Sequence, residues 1–291
     1  MILATGGTGQ VGTELAARGV TVVGRPAFDF DHPDTITATF DRAQPNLVVN
    51  AAAWTAVDAA ENDSDAAYRA NRDGPAALAR LCARDGVPLI HISTDYVFDG
   101  TKATPYVETD QTGPTGVYGA SKLAGEQAVL DAGGHAAVLR TAWVYNATGK
   151  NFVRTMLNAA LKTGTLRVVA DQQGNPTHAG DLADAILAVA ARMQAGWDDT
   201  YGGVFHAAGT GSTSWHGFAL AIFDEAARHG RPKPTVNGIG TAEYPTPAKR
   251  PANSRLDCSK LQRVFGIQLP EWQPSLARTV DSILALPQTA R

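Results

Sequence analysis

Ile2-Leu3-Ala4-Thr5-Gly6-Gly7-Thr8-Gly9-Gln10-Val11-Gly12 is the stretch that decides the fold. A short apolar run reads as a strand, the glycines as a turn, and the residues after them as a helix. Gly6 permits the tight turn, Gly9 lets the backbone approach a pyrophosphate, and Gly12 allows close helix–sheet packing. The helix N-terminus then offers free N–H groups and the positive end of its dipole to phosphates. A glycine triplet alone is a weak signal. Its place between a strand and a helix is the context that strengthens it. Gly6, Gly9, Gln10, Val11 and Gly12 are therefore read as cofactor-binding.

Beyond this loop the pattern repeats. Strands are expected at Ile2–Ala4, Val20–Val23, Leu47–Asn50, Leu89–Ser93, Ala137–Arg140 and Leu166–Val169, several of them continuously apolar as doubly buried strands are. Helices are expected at Gln10–Arg18, Pro33–Ala43, Asp65–Asp85 and Tyr118–Ala132. The alternation predicts an α/β fold, a Rossmann-type doubly wound parallel sheet. After Val144 the helices (Asn151–Lys162, Asp181–Gln194, Trp215–His229) are separated by long Gly/Pro/Thr/Asn loops. The five prolines between Arg231 and Pro251 predict an irregular functional loop. The expected organisation is a dinucleotide-binding domain over residues 1–145 and a smaller C-terminal α/β substrate-binding lobe over 146–291. Residues of about 180–210, with a strand at Val204–Ala207, are placed to return to the main sheet.

Composition narrows the function. Of 291 residues, 25 are Lys or Arg and 28 are Asp or Glu, and the net charge of -3 argues against a nucleic-acid partner. No apolar run approaches the ~18 residues needed to cross a bilayer, so no membrane partner is expected. The N-terminus has no basic, apolar leader. Cys82 and Cys258 lie far apart without C-x-x-C spacing, which points to neither a disulfide framework nor a zinc site. The seven histidines show no ligand spacing and are read as core or surface residues, so no metal site is assigned. A cytoplasmic enzyme is the expectation.

The second strand bears on the cofactor. An NAD site usually carries an acidic residue ~20 residues past the loop. Here Val22-Val23-Gly24-Arg25 follows, with no carboxylate between Glu14 and Asp29. Arg25 suits a 2′-phosphate, which favours NADPH, with NADH as the second candidate. Asp29 and Phe30 are placed to border the adenine. Ala51, Ala52 and Ala53, after the next strand, supply small residues where backbone passes close to a cofactor.

The reaction centre comes from two further segments. Tyr118 and Lys122 stand four apart on one helix face. A phenol can protonate a new alkoxide, and an ammonium beside it is expected to lower the tyrosine pKa toward the working range. Leu89-Ile90-His91-Ile92-Ser93-Thr94-Asp95 ends at the carboxyl edge of a parallel strand, where such sheets bind ligands. Its hydroxyl, Thr94 in preference to Ser93, is read as the carbonyl contact. The catalytic set is Thr94, Tyr118 and Lys122, the last two also touching the cofactor.

These motifs, with Val49-Asn50-Ala51-Ala52-Ala53-Trp54-Thr55-Ala56-Val57-Asp58, Ser93-Thr94-Asp95-Tyr96-Val97-Phe98-Asp99-Gly100, Leu139-Arg140-Thr141-Ala142-Trp143-Val144-Tyr145 and Tyr244-Pro245-Thr246-Pro247-Ala248-Lys249-Arg250-Pro251, carry a resemblance. The chain resembles, nearly end to end, the dTDP-4-dehydrorhamnose reductase family of extended short-chain dehydrogenases. The resemblance implies NAD(P)H-dependent reduction of the C4 keto group of a nucleotide sugar. It implies substrate contacts at Thr94 and Asp95, a sugar-pocket wall at Trp143, and cofactor contacts at Ala53 and Thr55. Some members hold magnesium through glutamates at a dimer contact, and Glu14 matches one such position. A homodimer and Mg2+ are thus secondary expectations. Arg250, with Lys249 and Arg255, is read as a grip on the sugar-nucleotide diphosphate. Trp197, Trp215 and Trp272 are expected to be packing residues, and the acidic run from Asp58 to Asp65 a helix entry. The alternatives weighed are another nucleotide-sugar reductase, an epimerase or dehydratase, and a non-catalytic regulatory subunit of the same fold.

Overall fold

The computed structural model describes residues 1–285; residues 286–291 of the expected lobe lie outside the described residues. In chain order the first elements are β1 (Ile2–Thr5), α1 (Gln10–Ala17), β2 (Thr21–Val23), α2 (Pro33–Ala43) and β3 (Leu47–Asn50). Next come α3 (Val57–Ala60), α4 (Ser64–Tyr68), a π turn (Arg69–Asp73), α5 (Gly74–Asp85), β4 (Leu89–Thr94), α6 (Val117–Leu130) and β5 (Ala136–Thr141). The later elements are β6 (Val144–Tyr145), α7 (Phe152–Ala160), β7 (Thr165–Val169), β8 (Gln173–Gly174), β9 (Thr177–His178) and α8 (Ala179–Ala195). The last are β10 (Gly203–His206), β11 (Thr213–Ser214), α9 (Trp215–Arg228), β12 (Thr235–Ile239), α10 (Ser259–Phe265) and α11 (Trp272–Ala285).

Six strands form one parallel sheet in the order β10-β5-β4-β3-β1-β2. The chain winds outward from β1 to β2 and then crosses back to β3 on the other side. The switch point therefore lies at the carboxyl ends of β1 and β3, where doubly wound sheets bind ligands. Alternation along the strands sorts the core into two layers. Leu47, Val49, Ile90 and Leu139 face Leu15 of α1, Ile186 of α8 and Phe265 of α10. Val48, Leu89 and Val138 face Phe40 of α2, Leu78 of α5 and Val129 of α6. A third cluster joins Tyr145, Val153 of α7, Phe218 and Ile222 of α9, and Leu276 of α11. Fully burying such a side chain contributes roughly 1.5–3 kcal/mol.

Local signals set several ends. Pro33 opens α2, Gly86 at φ 65 closes α5, and the Asn151 and Ser214 side chains cap α7 and α9. Three expectations are corrected. The expected helix Asp65–Asp85 is broken by the π turn at Arg69–Asp73. Leu166–Val169 lies outside the main sheet: as part of β7 it pairs in parallel with β12. The proline-rich stretch is not wholly irregular, because β12 occupies Thr235–Ile239 between its two proline clusters. A short apolar run marks a strand but does not choose its partner.

Candidate functional site

The loop after β1 and the loop after β3 meet at the switch point. A Cβ on Gly6, which sits at φ 88, would lie 2.8 Å from the Ala51 carbonyl carbon, so only glycine lets these backbones pass. A Cβ on Gly12 would lie 2.2 Å from the Gly6 carbonyl oxygen, which fixes the close seat of α1. Below the loop, the Thr5 hydroxyl donates to Asn50 Oδ1 at 2.6 Å and accepts from the Ala52 N–H at 3.1 Å. Asn50 Nδ2 meets His91 Nδ1 at 2.9 Å. His91, fully buried in β4, is held well below the usual imidazole pKa by burial, with Lys122 adding to the effect. The N-terminus of α1, capped by no side chain, leaves donors for an anion. Gln10 reaches across to the Val144 carbonyl and the Asn151 amide, and Val11 is half-buried against the core. These residues fit a dinucleotide.

Arg25 is exposed just past β2 and pairs with no carboxylate among the described residues. Asp29 turns its carboxylate to the Asp31 N–H. Phe30 packs edge-on to Phe28 and lies against Gly74, where a Cβ would come within 2.2 Å of its ring. Its ring is thus partly spent on packing. Ala51, Ala52 and Ala53 are half-buried and Thr55 is exposed.

The residues expected to form the reaction centre come together at the end of β4. Thr94 Oγ1 donates to Asp95 Oδ1 at 3.0 Å, and both residues are buried. Asp95 Oδ2 has no hydrogen-bond partner. Burial pushes its carboxyl up to about 6, opposed by Ser254 and Thr94. Tyr118, on α6, packs edge-on to Tyr96 with ring centroids 5.4 Å apart. Burial pushes the Tyr118 phenol up to about 12; hydrogen bonding with Thr94 pulls the other way, and Asp95 pushes further up. Lys122 Nζ donates to the Ile92 carbonyl at 2.6 Å, and burial pulls its ammonium down to about 8 against Glu126. In the ligand-free site the expected lowering of the Tyr118 pKa by Lys122 is thus overridden. The ammonium is engaged by backbone, and desolvation of the phenol dominates.

Other expectations land differently. Arg250 makes a two-pronged ion pair with Asp58 at 2.8 and 3.0 Å and also donates to the Ala248 carbonyl. Asp58 is thus a tie to the proline-rich loop as well as part of a helix entry. Arg255 is engaged by Asn253 and the Ala103 carbonyl, while Lys249 is exposed. Both Glu14 carboxylate oxygens are hydrogen-bonded within the chain. One oxygen accepts from Arg18 at 2.7 Å and the other from Asn146 at 2.8 Å. Among the described residues no group of three or more His, Cys, Asp or Glu is placed to hold a metal.

Trp143 sits just past β5 in the left-handed region at φ 48. Its indole stacks on Trp215, centroids 3.5 Å apart and planes 8° from parallel. Trp215, read from the sequence as packing, is the neighbour that fixes Trp143. Trp272 is buried in the third cluster, and Trp197 stacks on His135. Sequence reasoning also missed Asn71. Buried in the π turn, it accepts from the Trp54 N–H and donates to the Trp54 carbonyl and to Ser121 of α6. The Ser121 hydroxyl in turn donates to the Tyr118 carbonyl. No residue-type signal marks a π turn, although such turns favour functional sites.

No helix among the described residues is long and apolar enough to cross a membrane. The family model described as "RmlD substrate binding domain" matches residues 1–285. The chain is 47% identical over 288 residues to a dTDP-4-dehydrorhamnose reductase of Sinorhizobium fredii, covering 96% of each. A dTDP-4-dehydrorhamnose reductase structure from Clostridium acetobutylicum superposes with a TM-score of 0.88 at 37% identity, covering 96% of this chain and 98% of that one. One from Bacillus anthracis, in complex with NADP, gives 0.86 at 32% identity, covering 96% and 97%. The chain, with this loop at its switch point and this Thr-Tyr-Lys set at β4, belongs to the dTDP-4-dehydrorhamnose reductase family.

Proposed function

We propose that this chain reduces the C4 keto group of dTDP-4-dehydro-L-rhamnose to the alcohol of dTDP-L-rhamnose, with a reduced nicotinamide as co-substrate. The observation that carries the reading is the meeting of Thr94, Asp95, Tyr118 and Lys122 at the end of β4, beside the glycine loop. Gly6, Gly9 and Gly12 with the α1 N-terminus hold the pyrophosphate, and Ala51 to Ala53 with Thr55 border the dinucleotide. A bound reduced nicotinamide supplies a hydride for the carbonyl carbon. When the sugar binds, the Thr94 hydroxyl turns its one proton from Asp95 Oδ1 to the carbonyl oxygen and holds it toward Tyr118. The Tyr118 phenol then gives its proton to that oxygen as the alkoxide forms. Lys122 stabilises the phenolate left behind and contacts the ribose. Trp143 walls the deoxy sugar, whose C–H groups and methyl suit an aromatic face. Arg250, steered by Asp58, grips the diphosphate.

NADPH is the preferred donor in this reading, because Arg25 is exposed where an acidic ribose ligand would otherwise stand. A cytoplasmic setting and a homodimer belong to the same proposal; no role is assigned to Mg2+. The test is absorbance at 340 nm with dTDP-4-dehydro-L-rhamnose against other keto-sugar nucleotides, using NADPH and NADH in turn. Substrate-dependent oxidation of neither cofactor would remove the reading. In the same assay Arg25→Ala is expected to raise KM for NADPH far more than for NADH; equal changes would make Arg25 a bystander.

A further inference from the structure

Along α6, Tyr118, Lys122 and Glu126 follow one another at steps of four, one stripe on the helix face turned to β4 and β5. Glu126 is not part of the proposed chemistry, yet its side chain is only 2% exposed. It accepts from Arg140 Nε at 2.9 Å and from Nη2 at 2.7 Å, and Arg140 of β5 is itself 4% exposed. The Arg140 guanidinium lies 5.0 Å over the Phe98 ring, and its Nη1 is buried without a partner. A buried ion pair gives little net stability once its desolvation is counted. A purely structural role therefore explains this pair poorly.

We infer that Glu126 is a positioning residue of the reductase site: its buried carboxylate, held by Arg140, keeps the Lys122 ammonium charged next to Tyr118. The inference rests on the catalytic reading of Tyr118 and Lys122. Lys122 needs such a partner, because burial works against its charge and the Ile92 carbonyl is its one hydrogen-bond acceptor given by the geometry. The ionisable groups around it are few. His91 and Asp95 come from β4 and the turn after it, Arg140 from β5, and Tyr118 and Glu126 from its own helix. On the outer side of α6, Glu61 just past α3 is engaged by the Val117 N–H, and Arg72 and Asp73 of the π turn pair with each other near solvent. His91 carries no compensating charge. Glu126 is the anion that opposes desolvation of Lys122, and Arg140 fixes where that anion sits.

Loss of either partner of this ion pair should therefore lower the Lys122 midpoint. The experiment follows the 13Cε resonance of Lys122 against pH in the ligand-free protein, assigned by its loss in Lys122→Met, alongside the pH profile of kcat/KM. Glu126→Gln is expected to lower the Lys122 midpoint by about one pH unit and to move the alkaline limb of the profile with it. Arg140→Met, which strips the buried Glu126 carboxylate of its partner and favours its protonation, is expected to lower both as well, and Glu126→Asp to keep most of the wild-type midpoint. A Lys122 midpoint that stays put in Glu126→Gln, or that rises in Arg140→Met, would overturn the inference. Should a single variant not fold, Glu126→Gln/Arg140→Met removes both charges; its midpoint is expected below wild type, and a wild-type midpoint refutes the role. Full turnover in Tyr118→Phe would instead undo the underlying catalytic reading. Lost turnover in that variant with unmoved Lys122 midpoints would sink this inference alone.

Discussion

Tyr118 and Asp95 show how burial sets the chemistry of single groups. In the ligand-free site the Tyr118 phenol is pushed up to about 12, so it holds its proton throughout the neutral range. That suits a group that must deliver a proton. Tyr118→Phe is expected to cut kcat by ~10²–10⁴-fold, the usual contribution of general acid catalysis. Cofactor affinity, read by fluorescence titration with NADPH, should stay near wild type. Asp95 carries a cost instead. Its carboxyl is raised from 3.8 to about 6, so the folded state binds the proton more tightly than the unfolded chain. Stability on this account is greatest below about pH 4 and falls as pH rises toward 6, where the ionised carboxylate must stay buried. Asp95→Asn should be more stable than wild type at pH 7.5, by on the order of 1–3 kcal/mol, and the gap should close below pH 4. Urea unfolding at the two pH values measures this. A gap that persists at pH 4 would rule out the carboxylate as its source. The chemical identities of Thr94, Tyr118 and Lys122 were legible in the sequence. Their pKa directions were not, because desolvation depends on what packs around them.

The helix α6 shows what spacing alone can and cannot reveal about an element. The face that carries Tyr118 and Lys122 follows from their interval, but the helix's seat depends on two close backbone approaches. A Cβ on Gly119 would lie 2.2 Å from the Tyr96 carbonyl oxygen, and one on Gly125 would lie 1.9 Å from the Asn71 carbonyl oxygen. Glycine inside a helix ordinarily costs about 0.5–1 kcal/mol relative to alanine. Gly125→Ala should therefore stabilise a free-standing helix. Here the added methyl must push α6 away from the π turn, and overpacking of that kind costs about 1–3 kcal/mol. The net expectation is a destabilised protein with reduced kcat, since Asn71 and Ser121 tie that turn to the Tyr118 carbonyl. A rise in unfolding midpoint in urea would show that the turn yields freely. The π turn could not be read from the sequence, because no residue type marks it. The doubly buried strands were legible for the opposite reason: Leu47–Asn50 is apolar or internally bonded at every position.

The main sheet and the C-terminal elements meet where β5 ends, and Trp143 stands at that meeting. Its contacts reach both the third cluster around Phe218 and the small cluster of Phe98, Tyr106 and Leu256. Its position after a strand at the ligand edge was legible. Its partner was not, because Trp215 lies far along the chain and only the fold brings the indoles together. Two roles compete for Trp143, a wall for the sugar and a brace between the two halves. The left-handed backbone at φ 48 is uncommon for a bulky residue and costs of order 1–3 kcal/mol, strain that tends to gather at functional sites. The indole is also only half-buried, with Trp215 covering one face. Both features favour the wall. Trp143→Ala is then expected to raise KM for the nucleotide sugar at least several-fold, with KM for NADPH little changed. Because the indole is only half-buried, thermal stability should fall by less than the roughly 3–5 kcal/mol of a truncated core aromatic. A brace predicts the reverse pattern. In that case the variant would lose the full core cost, unfold at a much lower temperature, and keep a normal sugar KM in its folded fraction. Steady-state kinetics and a melting curve on one preparation separate the two outcomes, and the second would remove Trp143 from the substrate site.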